Sequence, residues 1–302
     1  MTLSLVAWFT TLFSGTTNSQ VIHMKNPTEF VCYYGQPETA NFGNVDMIIL
    51  EPDLWSDSQL ASISPEKLVL GYCSIGEVAP SKVSSVDQSL FISSESASAD
   101  SKANFAKNEE WGSVYVDPEN PEWQILVLDR ISAFLKKDQI NGIFLDTLDM
   151  VQIFPNKKSA MVNLVKSIRK AFPETPIVVN RGFDVFDEIS SSVDGIVFEG
   201  FSTKFTEDKS ETSQLLDVGS MKYTHKVFRH HIEAFMKRGG ICLTIDYASD
   251  SQTRVIDTAW SRSIDYGMVP FISNRQLDMP IGLKGTFRKE LADAYGKNAI
   301  GK

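Results

Sequence analysis

GIFLDTLD, residues 142–149, contains the run that decides the fold. Ile143, Phe144 and Leu145 are apolar without alternation, the pattern of a strand covered on both faces, as in a parallel sheet under helices. The run then stops on a carboxylate, Asp146. GIVFE (195–199) repeats the pattern and stops on Glu199. Working outward, six more runs have the same character: EFVCYY (29–34), VDMIIL (45–50), KLVLGYCS (67–74), PIVVN (176–180), GICLTIDY (240–247) and GMVPFIS (267–273). Helical spacing fills several of the gaps. PEWQILVLDRISAFLKKDQ (121–139) opens on a first-turn proline, and AMVNLVKSIRKAF (160–172) stops at Pro173. YTHKVFRHHIEAFMKRGG (223–240) and DSQTRVIDTAWSRSIDYG (250–267) both end on glycine. Eight strands alternating with helices predict a single-domain (β/α)8 TIM barrel over residues 21–302. An open doubly wound sheet is the alternative, but no GxGxxG follows the first strand.

The chain has 302 residues, 42% of them hydrophobic, which suits one large domain. A formal charge of −9 and the lack of a Lys/Arg run argue against nucleic acid as a partner. Cys32, Cys73 and Cys242 have neither metal-ligand spacing nor an even count, so they read as small buried hydrophobes. LSLVAWFTTLF (3–13), followed by SGTTNSQ, has signal-peptide length, although no basic residue stands ahead of the apolar run. Residues 1–20 are therefore expected to be a signal peptide and the protein to be secreted, with no membrane span. A monomer is expected. The longest interruption, 78–112, is rich in Ser, Ala and Asp; following the third strand, it should lie over the C-terminal mouth of the barrel.

Barrel chemistry gathers at the C-terminal strand ends. Those ends carry Tyr34, Glu51, Tyr72, Ser74, Glu77, Asp146, Asp149, Asn180, Arg181, Glu199, Asp246, Tyr247, Ser273 and Asn274. Taken singly, such residues cap helices or pair with arginine as often as they do chemistry; together they suggest a shared cleft. No strand ends on the lysine that a Schiff base requires. Ser–His chemistry lacks its base, because His225, His230 and His231 fall on a helix, as a wet face, and His23 precedes the barrel. Two carboxylates among aromatics do suit glycoside hydrolysis, where one must be protonated and the other ionised. Asp146 and Glu199 stand on non-adjacent strands and could face each other, with Tyr34, Tyr72, Trp111 and Tyr247 as sugar-stacking surfaces. Hydrolysis by a carboxylate-bound metal is a further alternative.

YYG (33–35), VLGYCSIGE (69–77), VYVDPENPEW (114–123), GIFLDTLD, VVNRG (178–182), VDGIVFEGF (193–201), TIDYA (244–248) and ISN (272–274) occur in order. Together they resemble the endo-α-1,4-polygalactosaminidase family of glycoside hydrolases over roughly residues 29–276. The resemblance implies a (β/α)8 barrel that cleaves α-1,4-linked galactosamine polymers, partly or wholly deacetylated, with no cofactor and no metal. It implies Asp146 as nucleophile and Glu199 as acid/base. Tyr34, Tyr72, Glu77, Asp117, Asn180, Asp246, Tyr247 and Asn274 are expected to line the sugar subsites. The Ser-rich stretch 78–112 departs from the family pattern. Two alternatives stay open: a barrel that binds carbohydrate without turnover, and a hydrolase acting on a different amino-sugar polymer.

Overall fold

A computed structural model describes residues 27–281 except 41, 95–104 and 207–212. The expected signal segment and the tip of the long insertion thus lie outside the described residues. Eight parallel strands follow one another in space as in sequence: β1 (Phe30–Tyr33), β2 (Met47–Leu50), β3 (Leu68–Ser74), β4 (Gly142–Asp146), β5 (Ile177–Asn180), β6 (Gly195–Glu199), β7 (Ile241–Tyr247) and β8 (Val269–Ser273). All eight coincide with the apolar runs of the sequence. The ring closes almost completely. A short strand, Pro280–Ile281, turns back antiparallel to β8, and Tyr34 N–H donates to Leu277 O at 2.8 Å, joining the end of β1 to the loop after β8.

The helices cover the outside. α1 (Pro121–Phe134) starts at Asn120, whose side chain accepts from Glu122 N, and buries Trp123, Val127, Ile131 and Phe134. α2 (Lys158–Ala171) buries Met161, Val162, Leu164, Val165 and Ile168 at three-to-four spacing. α3 (Phe183–Ile189) is not evident from the sequence, because two turns offer too short a window for periodicity to stand out. The stretch expected as one helix over 223–240 begins earlier, at the Asp217 cap, and changes winding on the way. It runs as α4 (Val218–Val227), a π turn (Phe228–Ile232) and α5 (Glu233–Lys237). α6 (Thr253–Asp265) leads into β8.

Phe30, Phe144, Phe201 and Phe271 and the aliphatic residues of β1 to β7 form one large core, and Ile272 of β8 packs with Ala248, Ala259 and Trp260 in a smaller second cluster. The three cysteines are free and buried, and burial pushes the Cys73 thiol up to about 12. Their thiols are therefore packing groups and not nucleophiles. Among the described residues, no helix is long and apolar enough to cross a membrane.

Candidate active site

The C-terminal ends of the strands open into a cleft of about 1190 Å³. Side chains two apart on one strand share a face, and Tyr72 with Ser74, Phe144 with Asp146, and Ile245 with Tyr247 line the cleft as such pairs. Adjacent strands bring their ends level: Ser74 is in register with Asp146, and Ile245, two residues before Tyr247, with Glu199.

At the end of three successive strands the functional residue is followed by one in the left-handed region: Thr147 (φ 68°) after Asp146, Arg181 (φ 49°) after Asn180, and Gly200 (φ 68°) after Glu199. That turn lifts the chain sharply off the barrel and leaves the preceding side chain over the mouth. Glycine adopts it freely; for a β-branched threonine it costs about 1–2 kcal/mol. Thr147 is held there by its hydroxyl, which donates to Asp146 O (2.6 Å), accepts from Gly76 N–H (2.7 Å) and meets Ser74 Oγ at 2.9 Å. A Cβ at Gly76 would stand 2.4 Å from Thr147 O, so this close approach needs glycine.

At the centre, one amide group serves two carboxylates. Asn180 Nδ2 donates to Asp146 Oδ1 at 3.0 Å and to Glu199 Oε2 at 2.7 Å. Asp146 also accepts from Thr147 N–H (2.8 Å) and from the Tyr72 hydroxyl (3.0 Å). Glu199 Oε1 accepts a short hydrogen bond from the Tyr247 hydroxyl. Burial, and next the Glu199 charge, raise the Asp146 pKa to about 7 against the pull of these donors. The Tyr72 and Tyr247 hydroxyls are pushed well above the usual phenol range, first by burial and then by Asp146 and Glu199 respectively, so both stay protonated as donors.

Two more carboxylates lie on the side of β3 and β4. Glu77 is 8% exposed; it accepts from Asn108 Nδ2 at 3.2 Å and from the Ser113 hydroxyl, and burial raises its pKa. Asp149 also lines the cleft, its pKa raised by burial against the opposing charge of Arg181. Asn108 comes from the long insertion and Ser113 follows it directly, ahead of Val114–Tyr115, which pairs antiparallel with Glu77–Val78. The insertion thus reaches the mouth, as its place after the third strand implies.

Tyr34, Tyr72, Glu77, Asn180 and Tyr247 line the cleft with the two central carboxylates, Tyr34 packing edge-on against Tyr72 at 5.2 Å. Asn180 also bridges the carboxylate pair. Three expectations are corrected: Asp246, Asp117 and Asn274 do not line the cleft. Asp246 neighbours Tyr247 on its strand and therefore points to the opposite face. It is 1% exposed, and its Oδ1 accepts from Ser202 N–H (2.7 Å), Thr203 N–H (2.8 Å) and the Thr203 hydroxyl (3.0 Å). Asp246 therefore positions the segment after Glu199. Asp117 pairs with Lys157 at 2.7 Å ahead of α1. Asn274 folds onto its own turn, donating to Asp278 Oδ1 and accepting from Asp278 and Met279 N–H. Glu51, at the end of β2, is engaged by Arg130 at 2.8 Å. Phe205, on a short strand (Thr203–Phe205) after β6, Tyr223, on α4, and Arg275, in the turn after β8, also line the cleft and are not evident from the sequence.

Among the described residues, Asp187, His230 and His231 form the only trio with metal-ligand atoms within 4.8 Å of one another. They do not line the cleft, and His231 Nδ1 meets Asp187 Oδ1 at 3.0 Å. The cleft carboxylates do not converge in that way, so the geometry favours proton chemistry over a carboxylate-held metal.

The sequence profile of glycoside-hydrolase family GH114 matches residues 16–288. No curated protein matches the chain in sequence. Among solved structures, the glycoside hydrolase domain of PelA from Pseudomonas aeruginosa superposes with a TM-score of 0.68 at 22% identity, over 83% of this chain and 96% of that one. Ega3 from Aspergillus fumigatus, solved in complex with galactosamine, superposes with a TM-score of 0.59 at 12% identity, over 83% and 92%. At these identities the two likenesses show a shared fold.

Proposed function

The chain belongs to glycoside-hydrolase family GH114 and is a glycosidase; from that premise we propose that it cleaves α-1,4-linked galactosamine-type polysaccharide, with Asp146 as nucleophile and Glu199 as acid/base. The observation that carries the reading is the Asn180 bridge. With one amide nitrogen 3.0 Å and 2.7 Å from the two carboxylates, Asp146 Oδ1 and Glu199 Oε2 are at most about 5.7 Å apart. Retaining glycosidases hold their carboxyl groups about 5–5.5 Å apart, whereas inverting ones need about 6.5–9.5 Å for a water.

In this mechanism Glu199 protonates the leaving oxygen while Asp146 attacks the anomeric carbon. Glu199, now ionised, then activates a water that releases the sugar from Asp146. The pair must share one proton, held on Glu199 at the moment of attack. In the free protein, burial and the Glu199 charge draw Asp146 toward protonation. An amino sugar has its ammonium on the carbon next to the reacting one, beside Asp146. That positive charge favours the Asp146 anion and sends the proton to Glu199. A cationic sugar would thus complete the catalytic state. The galactosamine bound to Ega3 supports an amino-sugar substrate. A polymeric substrate and the apolar run at 3–13 together support export.

The test is digestion of α-1,4-galactosamine polymer, with reducing ends counted and the anomer read by NMR before mutarotation. The expected result is new reducing ends in the α configuration. A β product would overturn the retaining mechanism; binding without new ends on any amino-sugar polymer would overturn the enzyme reading for that substrate class.

The pH profile is a second expected outcome. The pair titrates as a unit, and a carboxyl raised to about 7 keeps the pair singly protonated below that pH. Above it both groups are ionised and no acid remains. kcat/KM should therefore fall as pH rises through about 7, and a profile flat to pH 9 would contradict the shared proton.

A further inference from the structure

On the side of β3 and β4, Glu77 and Asp149 line the cleft, with Arg181 opposing Asp149 and Arg130 engaging Glu51, and the wall built after β6 and β8 carries Lys204, Phe205 and Arg275. That wall is a continuous series of contacts leading out from Glu199. The Tyr247 hydroxyl bonds Glu199, the Phe205 ring lies 4.6 Å from the Tyr247 ring, and the Arg275 guanidinium lies 4.5 Å from the Phe205 centroid. Arg275 also lies 5.2 Å from the ring of Trp111 and donates to Glu110 Oε1 at 2.6 Å. The Trp111 side is open, the residue being 51% exposed. A fixed cation between two aromatic faces, two rings from the catalytic acid, is thus built from loops after β3, β6 and β8.

We propose that Arg275 is a specificity-determining residue and makes this wall a subsite for an N-acetylated sugar unit instead of a free amine. The proposal rests on the reading of the protein as a galactosamine-polymer glycosidase and names where acetylation is read. An ammonium-bearing unit on this wall would meet like charge from Arg275 and Lys204. An acetamido unit is neutral, its carbonyl accepts from a guanidinium, and its methyl and ring carbons suit the open side of Trp111. The carboxylate pair at the centre keeps the unit at the reacting carbon cationic. The cleft therefore selects a mixed sequence, free amine at the cleavage point and acetylated toward the β8 side. Glu110 partly neutralises Arg275, which gives the idea a sign-reversed control: removing Glu110 should sharpen the discrimination that removing Arg275 abolishes.

The experiment compares two galactosamine oligosaccharide pools of equal length, one fully deacetylated and one partly N-acetylated, at low ionic strength so that surface charge is not screened. The wild type should show a kcat/KM about 5-fold higher or more on the acetylated pool, the scale of one like-charge contact at partly screened range. Arg275→Gln should bring the ratio to about 1–2, chiefly by a lower KM on the deacetylated pool. Glu110→Gln, a change at a more than half-exposed side chain, should widen it to about 10-fold or more. Equal ratios in all three proteins would overturn the assignment alone. A wild type that cleaves neither pool would overturn the substrate reading and this assignment with it.

Discussion

Glu199→Gln and Asp146→Asn should each lower kcat on the natural polymer by about 10³-fold or more, since each removes one half of a two-carboxylate mechanism. The two losses should differ in kind. Without Glu199 the leaving oxygen lacks its proton, so an aryl glycoside with an acidic leaving group should still form the sugar–Asp146 intermediate. Added azide should then release a product of retained configuration. Without Asp146 no intermediate forms and good leaving groups do not help; in the truncated variant Asp146→Ala, azide entering the vacated side should give the inverted product. The reverse pattern would exchange the roles. That exchange has a physical basis, since it is Asp146 whose pKa is raised to about 7. The three donors around Asp146 argue for its working anion, because the Tyr72 hydroxyl, Thr147 N–H and Asn180 amide would all stabilise that charge.

The same substitution should stabilise the fold. A carboxyl whose pKa rises from 3.8 unfolded to about 7 folded binds its proton more tightly in the native state. Its contribution to stability is present below pH 4 and is lost as pH rises through 7. Asp146→Asn removes that penalty while keeping an oxygen for Thr147 and Asn180 and offering an N–H to the Tyr72 oxygen. At pH 8 the variant should be more stable by about 1–3 kcal/mol, discounted because Asp146 is only partly buried, and the gain should shrink toward pH 4. An inactive but more stable protein would show that the charge is held for function.

The strands were legible because a barrel strand covered on both faces leaves an unmistakable apolar run, and Asp146 and Glu199 were legible because each ends one. Asp246 shows where that reading failed. In TIDYA the carboxylate ends an apolar run much as Asp146 does, yet its neighbour Tyr247 faces the cleft, and two adjacent strand residues cannot both do so. Alternation within the strand could have made that choice. Nothing in the sequence could have located its partners, the backbone N–H groups of Ser202 and Thr203, which lie more than forty residues earlier. The Arg275 wall was illegible for the same reason: Glu110 and Arg275 are 165 residues apart, and only closure of the barrel brings their loops together. Asn180 was legible as a cleft residue but not as a bridge, which depends on its lying between two particular strands.

Asn180→Ala should cost about 10²-fold in kcat, the scale of removing one fixed donor from a developing or alternating charge. Its effect on pH should identify the mechanism of the loss. Asn180 donates to both carboxylates, and its bond to Asp146 opposes the upward shift caused by burial and Glu199. Without that donor the pair holds its last proton to higher pH, so the alkaline limb should move above the wild-type value as the maximum falls. Asn180→Asp should be worse than alanine, since it replaces the shared donor with a third negative charge between two others. The Asn180 Oδ1 atom is buried and accepts no hydrogen bond among the described residues, so the amide is held by its two carboxylates and alanine leaves no other buried group unpaired. A residue that merely packed the mouth would leave the limb unmoved, and an Asn180→Ala enzyme with the wild-type pH profile would sink the bridge as a device for sharing the proton.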